Sequence, residues 1–253
     1  MELVSPAFFF YTLFNAPLSG GAGTRQITLG SPQSLLLAAY VIHYFNRALL
    51  SPLRTPSRSK SHIIAPLVAV AFNVVNGSLL GAFLSSPDAP QPSAFTRPTF
   101  WLGIIMWALG FCGNVVHDEI LLNIRRHAKS KGKAKDAGNT SGEHYAIPHG
   151  LLYRYISYPN YFCEWVEWLG FALAADPRLV HAIASGNWAL PSWKTLLYGP
   201  SAAFFPLMSA PWVFLFAELF VMFPRAYRGH RWYHNKFGDN YPKERKIVIP
   251  FLL

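Results

Sequence analysis

Long apolar runs separated by short polar segments are the feature of this sequence that most restricts its fold. Most of the runs are close to the 20 residues that an α-helix needs to cross a bilayer. The composition agrees, because 52% of the residues are hydrophobic and only 13% are charged, against about 25% charged in an average soluble protein. The sequence therefore predicts one membrane-embedded, all-α, multi-span helical bundle over residues 1–253. About six spans are expected, at residues 4–17, 33–53, 63–85, 99–122, 160–184 and 200–223.

The segments between the runs alternate in charge. Residues 54–62 hold three basic residues, residues 125–149 hold six against two acidic ones, and residues 224–253 hold seven against two. The intervening segments on the other side are nearly neutral. Cytosolic loops carry an excess of Lys and Arg, so the alternation predicts a multi-pass protein with a cytosolic C-terminus. Because the basic residues lie between apolar runs, anionic lipid headgroups or a phosphate-bearing ligand explain the net charge of +10 better than nucleic acid does.

A first row of polar residues lies at the end of the fourth run. Asn114, Asp118 and Arg125 fall within about 40° of one another on a helix of 3.6 residues per turn. Ionisable groups in apolar segments cost about 2.5–3.5 kcal/mol each on insertion scales, so they usually face a bundle interior and mark a site. The row predicts a polar-ligand site, with an interhelical hydrogen-bond network as the alternative.

A second row follows at Asn160, Glu164 and Glu167, whose spacings of four and three residues again define one helical face. On the predicted topology both rows meet at the cytosolic side. The tail after residue 224 adds cations interleaved with aromatic residues, which suits an anionic, ring-containing ligand. A juxtamembrane basic anchor is the alternative for the tail. Glu218, within the last run, is interpreted as a structural hydrogen-bonding group, and residues 129–142 as a flexible linker. No metal-ligand spacing is found.

Several strings, taken together, resemble the steroid 5α-reductase family. They run from Asn114 to Arg125, from Tyr145 to Gly150, from Asn160 to Trp168, and from Pro224 to Phe251. The resemblance is close over residues 100–253 and looser before them, where it includes Met1-Glu2 and residues 43–47. It implies an enzyme of the endoplasmic reticulum membrane that uses NADPH to reduce the carbon–carbon double bond of an α,β-unsaturated ketone. It also implies substrate-side helices in residues 1–99 and an NADPH-binding half in residues 100–253.

The resemblance also implies roles for individual residues. Tyr44 is similar to the tyrosine that hydrogen-bonds the substrate carbonyl, and Glu2 to its acidic partner, so both are expected to be catalytic. A neutral phenol can stabilise the negative charge that develops on a ketone oxygen during hydride transfer. An interfacial aromatic anchor is the alternative for Tyr44 without the resemblance. The residues similar to the NADPH-contacting positions are Asn114, Asp118, Arg125, Tyr145, Asn160, Glu164, Arg225 and Tyr233.

The sequence departs from the family at three places. Relatives usually have seven spans, with one more before the glutamate, so a truncated chain is expected. Ala146 stands where relatives often have Arg, and Arg228-Gly229-His230 where they often have a run of His. Each change is expected either to weaken cofactor contacts or to move a cation nearby, with Arg228 and Arg154 as candidate replacements.

The leading hypothesis is a reductase of a 3-oxo-Δ4-steroid or related lipid enone that reaches the site from the bilayer. The pair His43-Tyr44 favours the steroid branch. Polyprenol reductases and very-long-chain enoyl reductases are alternatives with similar architecture. A membrane methyltransferase of the isoprenylcysteine type and a non-catalytic membrane adaptor are alternatives of other classes.

Overall fold

The structure is a computed structural model that describes residues 2–15, 27–55, 63–135, 146–186 and 208–253. The secondary structure in these ranges is helical, apart from one isolated bridge between Ile156 and Lys246. The predicted all-α fold is therefore confirmed there. The α-helices are α1 (Val4–Asn15), α2 (Pro32–Tyr44), α3 (Ser51–Arg54), α4 (Ile64–Leu84), α5 (Pro98–Lys135), α6 (Pro159–Ala175), α7 (Arg178–Ala184) and α8 (Ala210–Phe237).

Two of the described helices have the length and composition needed to cross a membrane, namely Ile64–Leu84 and residues Pro98–His127 of α5. The protein is thus consistent with a helical membrane protein, while the number of six spans stays a prediction. A π-helical segment, Phe45–Leu50, joins α2 to α3, so the predicted run 33–53 is helical throughout. Proline stands in the first turn of α2, α5, α6 and α8, where its missing N–H costs nothing.

Two helices extend further than the apolar pattern indicates. Helix α5 continues to Lys135, so the prediction of a flexible linker is wrong for residues 129–135; residues 136–145 lie outside the described ranges. Lys, Arg and Ala are good helix formers, which explains the extension. Helix α8 runs through Pro224 to Phe237, so the first part of the basic tail is helical and not a separate segment.

The predicted fifth span is interrupted. Helix α6 ends at Ala175, Asp176 and Pro177 are non-helical, and α7 begins at Arg178. A residue that precedes proline is disfavoured in the helical region, and Asp176 has φ −152° and ψ 99°. The Asp176 carboxylate accepts hydrogen bonds from the Nε and Nη2 atoms of Arg178 at 2.9 and 2.8 Å.

Helices α5 and α6 approach each other closely at glycines. A Cβ atom on Gly110 would lie 2.7 Å from the Cys163 carbonyl oxygen, and one on Gly170 would lie 2.5 Å from the Gly103 carbonyl oxygen. Such distances leave no room for a side chain, so backbone packs against backbone, as small residues permit between membrane helices. This contact fixes the separation of the polar rows that α5 and α6 carry.

The core of the bundle is aromatic. Phe9 of α1 stacks on Tyr40 of α2 with ring centroids 3.8 Å apart, and Trp168 of α6 packs edge-on against Phe214 of α8 at 4.4 Å. Such pairs contribute about 0.5–1.5 kcal/mol beyond their buried area. The aromatic core therefore joins helices from both halves of the sequence around one centre.

Residues 241–253 are held against the segment that precedes α6. The backbone amide of Ser157 donates to the Lys246 carbonyl at 2.9 Å, and the Lys246 amide donates to the Tyr155 carbonyl at 2.8 Å. His117 of α5 fixes the other side of this segment, since its Nδ1 bonds the Gly113 carbonyl at 2.6 Å and its Nε2 accepts from the Leu152 amide at 3.3 Å. The start of α6 is thus tied to both α5 and the C-terminus.

We expect Gly110→Ala to lower the melting temperature of the protein. In an open helical position the same change would stabilise a helix by about 1 kcal/mol, but overpacking against α6 costs about 1–3 kcal/mol. Thermal unfolding in detergent measures the effect. Leu109→Ala is the control, because Leu109 is 68% exposed on the same helix. An unchanged or higher melting temperature for Gly110→Ala would contradict the described packing of α5 on α6.

Candidate active site

The first contact between the two polar rows is a hydrogen bond. The Asn160 Nδ2 atom of α6 donates to the Asp118 Oδ1 atom of α5 at 3.0 Å. Asn114, one turn before Asp118, is also buried, and Arg125 is exposed two turns after it yet still interacts electrostatically with Asp118. The structure therefore places both rows at the interface of α5 and α6.

Glutamates 164 and 167 lie deeper, and they face His43 of α2 and Arg47 of the π-helical segment. Glu164 and Glu167 are 3% and 0% exposed. The His43 Nδ1 atom lies 2.7 Å from Glu167 Oε1, and its Nε2 atom lies 4.0 Å from Glu164 Oε1. The Arg47 Nη1 atom lies 3.8 Å from Glu164 Oε2. A buried charge is retained when it is paired, and these contacts supply the partners.

The predicted catalytic pair, Tyr44 and Glu2, borders the cluster formed by His43, Arg47, Glu164 and Glu167. Tyr44 is 5% exposed, and its ring lies 4.6 Å from Tyr40 and 5.1 Å from His43. Glu2 interacts electrostatically with Tyr44 and with Arg47. The structure thus brings the phenol, the acidic residue near the start of the chain and the buried carboxylates into one region.

The remaining predicted residues lie outside this buried centre. Arg225 is exposed on α8 and interacts electrostatically with Tyr158 and Tyr161. Tyr233 is half-buried and stacks on Tyr241 with ring centroids 5.3 Å apart. Tyr145 lies outside the described residues. The tail residues therefore form an outer, cationic and aromatic border beside the start of α6.

Three acceptor atoms at the centre have no hydrogen-bond partner among the described residues. They are Asn160 Oδ1, Glu164 Oε2 and Glu167 Oε2, and all three are buried. A buried acceptor without a partner costs about 1–3 kcal/mol, so such atoms usually mark the position of a ligand or water. Acceptors at the centre and exposed arginines at the border suit a molecule with N–H or O–H donors at one end and anionic groups at the other.

Three residues in or beside the cluster had no functional role in the sequence analysis: His43, Arg47 and Glu218. His43 and Arg47 are four residues apart, which is a helical-face spacing that could have been found. The π-helical segment that contains Arg47 is itself a feature often seen at functional sites. Glu218 of α8 interacts electrostatically with Glu164, Arg47 and His43, so it borders the cluster, and its structural role stays a prediction.

Comparison with known proteins gives the family of the chain. A family model described as 3-oxo-5-alpha-steroid 4-dehydrogenase matches residues 59–190 and 201–253. The chain belongs to this family. It is 35% identical to bovine 3-oxo-5-alpha-steroid 4-dehydrogenase 1, over 92% of this chain and 74% of the relative, and 33% identical to the tomato steroid 5-alpha-reductase DET2, over 86% and 68%. It is also 36% identical to an uncharacterised protein of Schizosaccharomyces pombe, over 100% and 82%.

Family membership confirms the resemblance found in the sequence. The relatives are named as oxidoreductases that act on a CH–CH group, so this chain is an oxidoreductase of that class. The methyltransferase and the non-catalytic adaptor are thereby set aside. The roles of the individual site residues are not tested by the comparisons and stay predictions.

The departure at residues 228–230 has a structural counterpart. A Cβ atom on Gly229 would overlap the Tyr158 hydroxyl, so the Tyr158 phenol fills the space that a longer side chain at position 229 would occupy. His230, the next residue, lies with its Nδ1 atom 2.6 Å from Ser157 Oγ, and Ser157 Oγ lies 2.7 Å from the Tyr241 hydroxyl. The end of α8 is therefore fixed to the start of α6 by a buried polar chain.

Burial and the neighbouring His234 lower the pKa of His230 to about 4, from an ordinary value of 6.5. In this range the unfolded chain binds a proton that the folded protein does not, so stability rises with pH. We expect the melting temperature to fall as the pH is lowered from about 6.5 to about 4. His230→Gln should reduce that dependence, and His181→Gln, at an exposed position on α7, should not. An unchanged pH dependence in His230→Gln would contradict the half-buried, neutral state of His230.

Proposed function

We propose that the protein reduces the carbon–carbon double bond of a lipid enone, specifically a 3-oxo-Δ4-steroid, with NADPH as the reductant. The observation that carries the proposal is the set of buried acceptor atoms on Asn160, Glu164 and Glu167 that have no hydrogen bond among the described residues, beside the buried phenol of Tyr44. The names of the bovine and tomato relatives support the steroid as substrate.

The residues of the candidate site fit nicotinamide adenine dinucleotide phosphate. The amide and ribose hydroxyls of such a molecule donate hydrogen bonds, which the acceptors of Asn160, Glu164 and Glu167 lack. Its phosphates are anionic, and the exposed Arg125 and Arg225 supply guanidinium groups, whose paired N–H donors suit phosphate. When bound, NADPH supplies a hydride to the β carbon of the enone.

Tyr44 is the group that stabilises charge on the substrate. Addition at the β carbon places negative charge on the ketone oxygen, and a phenol that donates a hydrogen bond to this oxygen lowers the barrier. Glu2 orients the phenol or, when protonated, donates a second hydrogen bond. The α carbon takes up one proton, so that one hydride and one proton together saturate the double bond.

Water exclusion strengthens these interactions. The aromatic core formed by Tyr40, Trp168 and Phe214 encloses Tyr44 and the buried carboxylates. Electrostatic interactions are stronger in such a low-dielectric environment than in water, so a single hydrogen bond to the ketone oxygen can have a large effect on rate.

The proposed topology has six spans and a cytosolic C-terminus in the endoplasmic reticulum membrane. The charge alternation supports this topology. The segments 54–62, 125–149 and 224–253 each have an excess of basic residues, and six spans place all three on the cytosolic side of the membrane. The steroid then enters from the bilayer, and the soluble cofactor enters beside the exposed Arg125 and Arg225. Comparing 3-oxo-Δ4-steroid, polyprenol-type and very-long-chain enoyl substrates decides among the branches of this chemistry.

We expect Tyr44→Phe to lower kcat/KM for steroid-dependent NADPH oxidation by roughly 100- to 1,000-fold, as for loss of one oxyanion-stabilising donor. NADPH affinity should be unchanged. Activity is measured with the purified chain in lipid nanodiscs, with and without the steroid. Tyr11→Phe is the control, since it removes the same hydroxyl from a residue that is 60% exposed. Steroid reduction by Tyr44→Phe at the wild-type rate would remove Tyr44 from the mechanism.

Asn160→Ala should weaken NADPH binding about tenfold, because a buried polar contact contributes roughly 1.4 kcal/mol. Equilibrium titration of NADPH in the absence of steroid measures this without reference to activity. Asn123→Ala is the matched control, because Asn123 is exposed on α5 and bonds only the Arg126 side chain among the described contacts. Equal affinities of the two variants would place the cofactor elsewhere.

A further inference from the structure

A cavity lies apart from the carboxylate cluster, between the segment that precedes α6 and the C-terminal segment. Its volume is about 820 Å³, and its lining includes none of His43, Arg47, Glu164 and Glu167. It is at the end of the bundle where α5 stops and α6 begins, which is the end that carries the basic segments. The lining residues include His149, Leu151, Arg154, Tyr155, Glu244 and Arg245.

Arg245 is the most informative residue of this cavity. It is 4% exposed, its Nη2 atom donates to the Pro148 carbonyl at 3.0 Å, and its guanidinium carbon lies 5.1 Å from the Tyr241 ring centroid. Its Nε and Nη1 atoms are buried and have no hydrogen-bond partner among the described residues. A buried cation without a counter-ion is costly, so the guanidinium is set up for an anion that the described chain does not supply.

The other charged residues of the cavity also favour an anion. Arg154 is exposed, with its guanidinium carbon 5.7 Å from the Tyr155 ring centroid. Glu244 is exposed, and no ion pair joins it to Arg245 or Arg154 in the described structure. Two arginines against one solvated carboxylate give a positive cavity. Arginine binds phosphate through paired N–H donors.

Apolar residues border the same cavity. Leu151 is 61% exposed, and Phe251 is 76% exposed. The Phe251 ring lies 5.0 Å from Tyr155, which itself lines the cavity. Exposed apolar side chains next to buried and exposed arginines match a molecule that has both an anionic head and a hydrocarbon part.

We propose that this cavity binds the phosphate of an anionic phospholipid headgroup at the membrane surface. Arg245 and Arg154 hold the phosphate, while Leu151 and Phe251 contact the first part of the lipid chains. On the proposed topology the cavity faces the cytosolic leaflet, which is the leaflet that carries anionic lipids. The bound lipid would stabilise the junction between the C-terminal segment and the start of α6.

The experiment measures thermal protection of the full chain in neutral detergent by a short-chain phosphatidic acid, by the matching phosphatidylcholine and by inorganic phosphate. We expect phosphatidic acid to raise the melting temperature most. In Arg154→Gln, the concentration of phosphatidic acid for half-maximal protection should rise about fivefold, the usual effect of one basic residue near an anionic lipid surface. Arg245→Gln should abolish the protection.

Controls separate this site from general surface charge and from folding defects. Lys243→Gln removes one positive charge from an exposed side chain that does not line the cavity, and it should leave the protection unchanged. Because Arg245 also bonds Pro148, its variant could fail to fold, and Arg154→Gln then decides alone. Equal losses in Lys243→Gln and Arg154→Gln would overturn the proposal in favour of diffuse surface charge.

Three other results would overturn the proposal or assign the cavity to another ligand. Protection by inorganic phosphate at the same concentration as phosphatidic acid would overturn the lipid and assign a soluble phosphate compound to the cavity. No protection by either compound would overturn the site. Weaker NADPH binding by Arg154→Gln, with lipid protection unchanged, would assign the cavity to the cofactor. None of these measurements depends on steroid reduction.

Discussion

The separation between α5 and α6 is the geometric constraint on which the candidate site depends. Gly103, Gly110 and Gly170 allow the two backbones to touch, and this contact brings Asn160 within hydrogen-bond distance of Asp118. A longer side chain at any of these glycines would increase the distance between the helices. The polar rows would then face a gap, and their buried acceptors would be more accessible to water.

The close contact also requires that buried charge be balanced from a third element. Glu164 and Glu167 are nearly inaccessible, and α5 carries no cation at their depth. His43 and Arg47 meet this need from α2 and the π-helical segment. Removing one partner of such a cluster leaves an uncompensated buried charge, which costs about 3–5 kcal/mol. The substrate-side helices are therefore tied electrostatically to the helices that carry the proposed cofactor contacts.

Local patterns in the sequence predict the helices and the faces of the polar rows, but not their partners. The spacing of Asn114 and Asp118, or of Asn160 and Glu164, needs only helical geometry. The pairing of His43 with Glu167 joins residues 124 positions apart, and no local pattern contains that information. Pro177 signals a break in the helix at Asp176. The apolar residues on both sides of this position suggest one continuous span, and the prediction followed them. The continuation of α5 beyond residue 128 follows from helix propensity, which hydropathy does not measure.

The length of α5 also explains why one helix can serve both ends of a long ligand. Asp118 is half-buried beside the centre, and Arg125 lies in the exposed border, seven residues or about 10 Å further along the axis. A continuous helix keeps this distance fixed, which a flexible linker after the membrane span would not. Under the proposed function, α5 positions both ends of a ligand that has hydrogen-bond donors at one end and anionic groups at the other. Helix α6 lines the site opposite α5 at the buried end. At the exposed border, α8 lines it through Arg225. The polarity of the site thus changes from acceptor-rich to cationic along a single direction, and that direction would fix which end of a dinucleotide lies beside Tyr44.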